Sequence, residues 1–176
     1  MYKLAVDAMG GDYGPKVTVP ACVNFLAGTP DASILLVGNR TMIQKEVEIY
    51  KQRRKIETSF VDEVSNPRDG RLTIRHTERE IKMDQAPASA LKHGKDSSLW
   101  ICLDEVKNGN SDGAVSAGNT GALMALSRHI VKTISGISRP AIASSLPNVS
   151  GAGTTVLDLG ANISCDADQL LQFAIM

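Results

Sequence analysis

The sequence predicts an α/β fold on a mainly parallel sheet, and three observations carry that prediction. Short runs that are apolar throughout alternate with longer stretches of helical periodicity. Strands read this way when helices cover both faces of a parallel sheet. Several of the apolar runs end in turns rich in Gly, Asp and Asn, as where a chain leaves the end of a strand. No internal repeat or low-complexity tract interrupts the pattern, so a single α/β domain over residues 1–176 is expected.

Lys3 to Val6 is the first strand, closed by Asp7-Ala-Met-Gly-Gly-Asp12. Helix follows from about Lys16 to Leu26, with Pro20 tolerable only near its first turn. Ser33 to Val37 is a fully buried strand, Gly38-Asn39 a turn, and Thr41 the cap of a helix running to Arg54. Ile56 to Val61 is a third strand. Asp62 to Ala86 reads as an excursion or hairpin, with turn signals at Asn66-Pro67 and Asp69-Gly70 and a short strand at Leu72 to Ile74. Pro87 opens one helix, and Asp96-Ser-Ser98 caps another that runs to Lys107 and closes at Asn108-Gly109. Asp112 to Ser116 is the fourth strand, Ala117 to Gly121 its turn, and Ala122 to Lys132 a helix. Arg139 to Ala143 and Thr154 to Asp158 are further strands. Gly160-Ala-Asn162 turns the chain into a final helix from Asp168.

Composition excludes several classes. Net charge is zero, so the whole chain offers no electrostatic attraction for nucleic acid. Aromatics are 4% of residues, too few for a base-stacking platform. Cys22, Cys102 and Cys165 are odd in number and lack a metal-like spacing, which fits a reducing, cytoplasmic compartment. No run reaches the roughly 18 apolar residues of a membrane span, and Met1 to Val6 is too short for a signal peptide. No G-x-G-x-x-G, P-loop or G-x-S-x-G motif is present, and His76, His93 and His129 do not combine into a metal site. Neither a redox cofactor nor a metal is called for.

Three turns carry the chemistry, and in open α/β sheets ligands bind at the carboxyl ends of strands. The second, Ser116-Ala-Gly-Asn-Thr-Gly121, suits an anion best. Gly118 and Gly121 let the backbone approach a ligand, and a helix N-terminus presents unpaired N–H donors. Ser116, Asn119 and Thr120 add side-chain donors. The plain alternative is a strand-to-helix turn with Asn119 or Thr120 as N-cap. In the first turn Asp7 and Asp12 bracket Gly10 and Gly11. The carboxylates would orient donors, bind a cation or handle protons, or Asp12 would simply cap the next helix. In the third turn Asp158 closes a strand before Gly160 and Asn162 and needs a partner there. Lys95, just before Ser97 and Ser98, either neutralises a phosphate or is a solvated lysine beside a capped helix.

At these turns the chain resembles the PlsX-type phosphate acyltransferases of bacterial phospholipid synthesis. The resemblance rests on Val6-Asp-Ala-Met-Gly-Gly-Asp12 with Pro15, Ile81-Lys-Met-Asp84 with Pro87, and Lys95-Asp-Ser-Ser98. It continues in Val115-Ser-Ala-Gly-Asn-Thr-Gly-Ala122, Gly136-Ile-Ser-Arg-Pro-Ala141, and Leu157-Asp-Leu-Gly-Ala-Asn162 with Gln172-Phe-Ala174. Leu91-Lys-His-Gly94 is less basic than the family tends to be, and Asn66 to Arg75 is less typical.

The resemblance implies a Rossmann-like layered sheet similar to isocitrate and isopropylmalate dehydrogenases. It implies transfer of a fatty acyl group from acyl carrier protein to inorganic phosphate, by a homodimer loosely associated with the membrane surface. Family members are about twice as long, so the chain is expected to be the N-terminal part of a longer enzyme. Asp7, Asp12, Lys95, Asn119, Asp158 and Asn162 are then the catalytic candidates. Gly10, Gly11, Ser97, Ser98, Ser116, Gly118, Thr120, Gly121 and Gly160 are the substrate-binding candidates. Two alternatives stand beside this: a phosphate acetyl- or butyryltransferase using coenzyme A, and a non-catalytic phosphate-binding or dimerising module.

Overall fold

A computed structural model describes residues 1–54 and 70–176. The expected strand at Ile56 to Val61, and the turn signals at Asn66-Pro67 and Asp69, lie outside the described residues. Contacts divide the chain into two compact units, Met1–Val131 and Lys132–Met176.

The first unit is a layered α/β structure. Strands β1 (Tyr2–Asp7), β2 (Ala32–Gly38), β3 (Leu72–His76) and β4 (Gly113–Ser116) form a sheet of order β3-β2-β1-β4. Every neighbouring pair is parallel. β2 is buried at all seven positions, as its unbroken apolar run requires. Side chains alternate between the faces of each strand. Val6, Ile34 and Leu36 therefore pack on one side against Val19, Val23 and Leu26 of α1 (Pro15–Gly28) and Ile43 and Val47 of α2 (Arg40–Arg54). Ala5, Leu35 and Val37 pack on the other side against Ile101 and Cys102 of α4 (Ser98–Lys107). A third cluster joins Ala90 of α3 (Pro87–His93), Leu99 and Leu103 of α4, and Ala122 and Leu126 of α5 (Thr120–Ile130). Each fully buried Leu or Ile contributes roughly 1.5–3 kcal/mol to these layers.

Successive strands step from β1 to β2 to β3 in one direction, and β4 then returns to the opposite side of β1. The strand order thus reverses between β1 and β4. The crevice beyond their carboxyl ends is where open α/β sheets bind ligands.

Helix ends follow short polar side chains, with corrections to the sequence reading. Asn39, not Thr41, caps α2, since its Oδ1 accepts from the Met42 N–H at 3.0 Å. Pro20 lies inside α1, in the second turn counted from Pro15, beyond the limit the sequence reading set for it. It removes the donor that the Lys16 carbonyl would use. α5 begins at Thr120, earlier than expected, because Asn119 caps it.

The second unit holds an antiparallel pair, β5 (Ala143–Pro147) and β6 (Gly153–Leu157), and α6 (Ala167–Ile175). The strand expected at Arg139 to Ala143 runs instead from Ala143 onward. Pro140 has no N–H for a ladder, and the turn from Asn148 to Ala152 folds the following residues back onto β6. Asp166 and Gln169 form a reciprocal capping box at the start of α6.

Candidate functional site

The first two turns meet at the crevice between β1 and β4. Parallel register sets Asp7 directly beside Ser116. Asp7 is only 4% exposed, so its carboxylate must find donors within the protein. Ser116 Oγ donates to Asp7 Oδ2 at 2.8 Å, and the Met9 N–H reaches Asp7 Oδ1 at 3.2 Å. The Gly118 N–H donates in turn to Ser116 Oγ at 3.1 Å. A relay Gly118 to Ser116 to Asp7 thereby fixes the second turn upon the first.

Glycine is required where the turns touch. A Cβ on Gly10 would stand 2.8 Å from Asp7 Oδ2 and 2.9 Å from both Gly118 N and Ser116 Oγ. Gly11 has φ +88°, and a Cβ there would lie 3.1 Å from the Ala117 carbonyl oxygen. At Gly121 a Cβ would stand 2.8 Å from Pro87 Cγ, so this glycine seats α3 against α5.

Asn119 is doubly engaged. Its Oδ1 accepts from the Ala122 N–H at 2.9 Å, and its Nδ2 donates to the carbonyls of Met83 and Gln85, each at 2.8 Å. The side chain is therefore a cap and a clamp on residues 82–85, with its amide hydrogens turned to protein. Thr120 is exposed at the first position of α5. The first N–H groups of a helix have no intrahelical acceptor, and Asn119 takes only that of Ala122. Those of Thr120 and Gly121 have no hydrogen-bond partner among the described residues, and they lie at the positive end of the helix dipole.

The remaining candidates are placed differently. Asp12 is exposed, and α1 has Gly14 as N-cap with no side-chain cap bond, so Asp12 is not a helix cap. Lys95 is exposed, and its ammonium meets no partner among the described residues. Its carbonyl accepts from Arg79 Nη1 at 3.0 Å, and the Asp96 carbonyl accepts from Thr77 Oγ1 at 2.7 Å. Ser97 caps α4 by accepting from the Trp100 N–H at 3.3 Å. Ser98 Oγ is buried with no partner among the described residues.

Asp158, Gly160 and Asn162 lie in the second unit. Asp158 Oδ1 accepts from the N–H groups of Ile142 at 3.0 Å and Ala161 at 2.9 Å. Its Oδ2 accepts from Asn162 N at 2.7 Å and Asn162 Nδ2 at 2.9 Å. Burial pushes this carboxyl upward, but the donors from Ile142, Asn162 and Ala161 outweigh it and hold the pKa below the ordinary carboxylate value. Gly160, with φ +96°, closes the loop around the carboxylate.

Burial raises the Cys22 thiol to about 12, and burial, followed by the Asp7 and Glu105 charges, pushes Cys102 well above its usual value. Both are protonated at neutral pH and poor nucleophiles. Among the described residues no group of three or more His, Cys, Asp or Glu gathers as a metal site. No helix among them is long and apolar enough to cross a membrane.

Sequence reasoning missed the Met83 and Gln85 carbonyls, because backbone acceptors leave no residue-type signal. It also missed the buried Glu105, which pairs with Arg75. Its signal was a carboxylate on the otherwise apolar face of α4.

A mainly parallel sheet with helices on both faces and a turn at its switch point defines the class as a layered α/β protein. The model of the family described as "Fatty acid synthesis protein" matches residues 2–176, and the chain belongs to that family. A protein named "Phosphate acyltransferase" from Vibrio parahaemolyticus is 46% identical over 173 residues, covering 98% of this chain and 47% of that protein. The one so named from Chromobacterium violaceum is 49% identical over 173 residues, covering 98% and 46%. Its namesake from Acidovorax sp. is 47% identical over 176 residues, covering 100% and 45%. The chain thus spans about half the length of the curated relatives it matches.

Proposed function

We infer that this chain provides the phosphate-binding part of an acyltransferase that moves a fatty acyl group from acyl carrier protein to inorganic phosphate. The observation that carries this reading is the second turn. The N–H groups of Thr120 and Gly121, at a helix N-terminus, have no hydrogen-bond partner among the described residues, and the Gly118–Ser116–Asp7 relay fixes the turn that carries them. The relatives' name, phosphate acyltransferase, supports phosphate as one substrate of this site.

Phosphate seated at the turn attacks the thioester carbonyl carbon. A phosphate-oxygen-to-carbon bond forms, the carbon–sulfur bond breaks, and the carrier leaves as a thiolate that takes a proton. The products are acyl phosphate and free carrier thiol. Nearby donors stabilise the oxyanion of the tetrahedral intermediate. Holding both reactants in place supplies on the order of several kcal/mol. Asp7 and Asn119 are positioning residues, since their atoms are committed to the turn. Asp12 and Lys95 are the exposed charged groups assigned to proton handling and to phosphate neutralisation. Asp158 and Asn162 order the third turn, which we assign to the same enzyme activity. The high pKa of the Cys22 thiol favours direct attack over an acyl-cysteine there. A second copy of the chain and the membrane surface complete the proposed partners.

Free-thiol release from acyl carrier protein thioesters and acyl coenzyme A, each with and without phosphate, tests the proposal. Phosphate-dependent release that is faster from the carrier protein supports it. Release indifferent to phosphate contradicts it, a preference for coenzyme A reassigns the acyl carrier, and phosphate binding without turnover reduces the chain to a binding module.

A further inference from the structure

The carboxyl end of β3 meets the start of α2 at a cluster of polar side chains that the proposed chemistry does not use. Parallel register sets His76 beside Gly38, so Arg40, the first residue of α2, arrives next to the imidazole. The Arg40 N–H donates to His76 Nδ1 at 3.1 Å. On the other edge of the ring, His76 Nε2 lies 3.1 Å from Glu78 Oε1. Glu78 Oε2 accepts from Asn39 Nδ2 at 2.7 Å, and Asn39 Oδ1 caps α2 through the Met42 N–H at 3.0 Å.

These contacts fix the state of the ring. A nitrogen that accepts carries no hydrogen, so Nδ1 is the lone-pair nitrogen and Nε2–H donates to Glu78. Nδ1 thereby serves α2 as a cap, taking an N–H that has no acceptor inside the helix. A proton taken from water can settle only on Nδ1. Two N–H groups then confront each other, and the new charge stands at the positive end of the helix dipole. Flipping the ring gives no relief, because both nitrogens of an imidazolium are donors. On the Nε2 side the same proton turns a hydrogen bond to Glu78 into an ion pair, which holds the ring in place. The His76 side chain is 45% exposed, so solvent protons reach it.

Among the described residues, the charged groups tied to this corner are Glu78 and Arg40, whose Nη2 donates to the Ile74 carbonyl at 3.0 Å. Arg75 precedes His76 on β3, lies on the opposite face and pairs with Glu105 of α4. Arg79, beyond Glu78, donates from Nη1 to the Lys95 carbonyl at 3.0 Å.

We propose that His76 is a proton-operated latch on α2: neutral, its Nδ1 holds the Arg40 N–H, and protonated, it releases that N–H and keeps Glu78. Histidine is the side chain whose charge changes between roughly pH 5 and pH 8, so the latch works in the physiological range. It adjoins the proposed site. Met9 packs on Gly38, where a Cβ would stand 2.7 Å from Met9 Cγ, and the Met9 N–H holds Asp7.

Nitrogen-15 spectra of the ring and amide exchange of this chain, followed from about pH 8 to pH 5, test the latch. The neutral ring should carry its hydrogen on Nε2. As it charges, protection of the Arg40 amide, measured against its intrinsic rate at each pH, should fall by roughly fivefold, the worth of one hydrogen bond. His76→Gln, which takes up no proton, should abolish the fall. Glu78→Gln removes the anion beside Nε2 and should move the ring and Arg40 midpoints together to lower pH. A neutral ring protonated at Nδ1 overturns the proposal, as does Arg40 protection that ignores the charging of His76 or falls equally in His76→Gln. A parallel loss of protection throughout β2 overturns it too, because the start of α2 would then only follow general unfolding.

Discussion

Single atoms decide whether the two turns of the first unit can meet. Gly10 touches three groups of the relay, all within 2.9 Å of where a Cβ would stand. Gly10→Ala is therefore expected to push the turns apart at a cost of about 1–3 kcal/mol, with weaker phosphate binding by calorimetry. Asp158 gives a pH-dependent counterpart in the second unit. Its folded pKa lies below the ordinary value, so its stabilising contribution is present above the unfolded pKa, roughly 4, and is lost as pH falls through the folded one. Asp158→Asn keeps one acceptor but turns an NH₂ toward the donors of Ala161 or Asn162. It is expected to cost about 1–3 kcal/mol at neutral pH. Thermal melts of the variant and wild type should converge below the folded pKa.

At the level of elements, the turn depends on a helix cap that also holds a neighbouring loop. Asn119→Ala removes both functions and should destabilise the unit by about 1–2 kcal/mol in denaturant titration. Asn119→Asp keeps the cap but presents a carboxylate to the Met83 and Gln85 carbonyls, so it should loosen residues 82–85 while retaining α5. Much of this element plan was legible in the sequence. The fully apolar run of β2 and the Gly-rich ends of β1 and β4 announced a parallel sheet, since both depend on local composition. The caps were harder to place. Asn39 and Thr41 both suit the position, and only the direction of the chain chooses Asn39. β5 was misplaced because its pairing depends on β6, ten residues on, rather than on its own residues. The engagement of Asn119 with the 82–85 carbonyls could not be read at all, as it joins segments more than thirty residues apart.

Across the whole molecule, the two units differ in how much they bury. The first unit supplies the three clusters around the sheet and its helices. In the second, the residues of β5 are all exposed, and Phe173 is the one buried residue of α6. A two-stranded pair is marginal by itself. Hydrogen exchange should therefore be fastest at the β5 and β6 amides and slowest in β1 and β2. Equal protection of the two pairs would mean that the second unit gains stability from elsewhere. The proposed chemistry rests on the first unit, where the switch point, the relay and the first N–H groups of α5 coincide. Amide chemical shifts during a phosphate titration test that claim most directly. Saturable shifts at Gly118, Thr120 and Gly121, weakened in Gly10→Ala, are the expected result. No saturable shift at these three amides, or shifts confined to Ala161 and Asn162, would contradict the account.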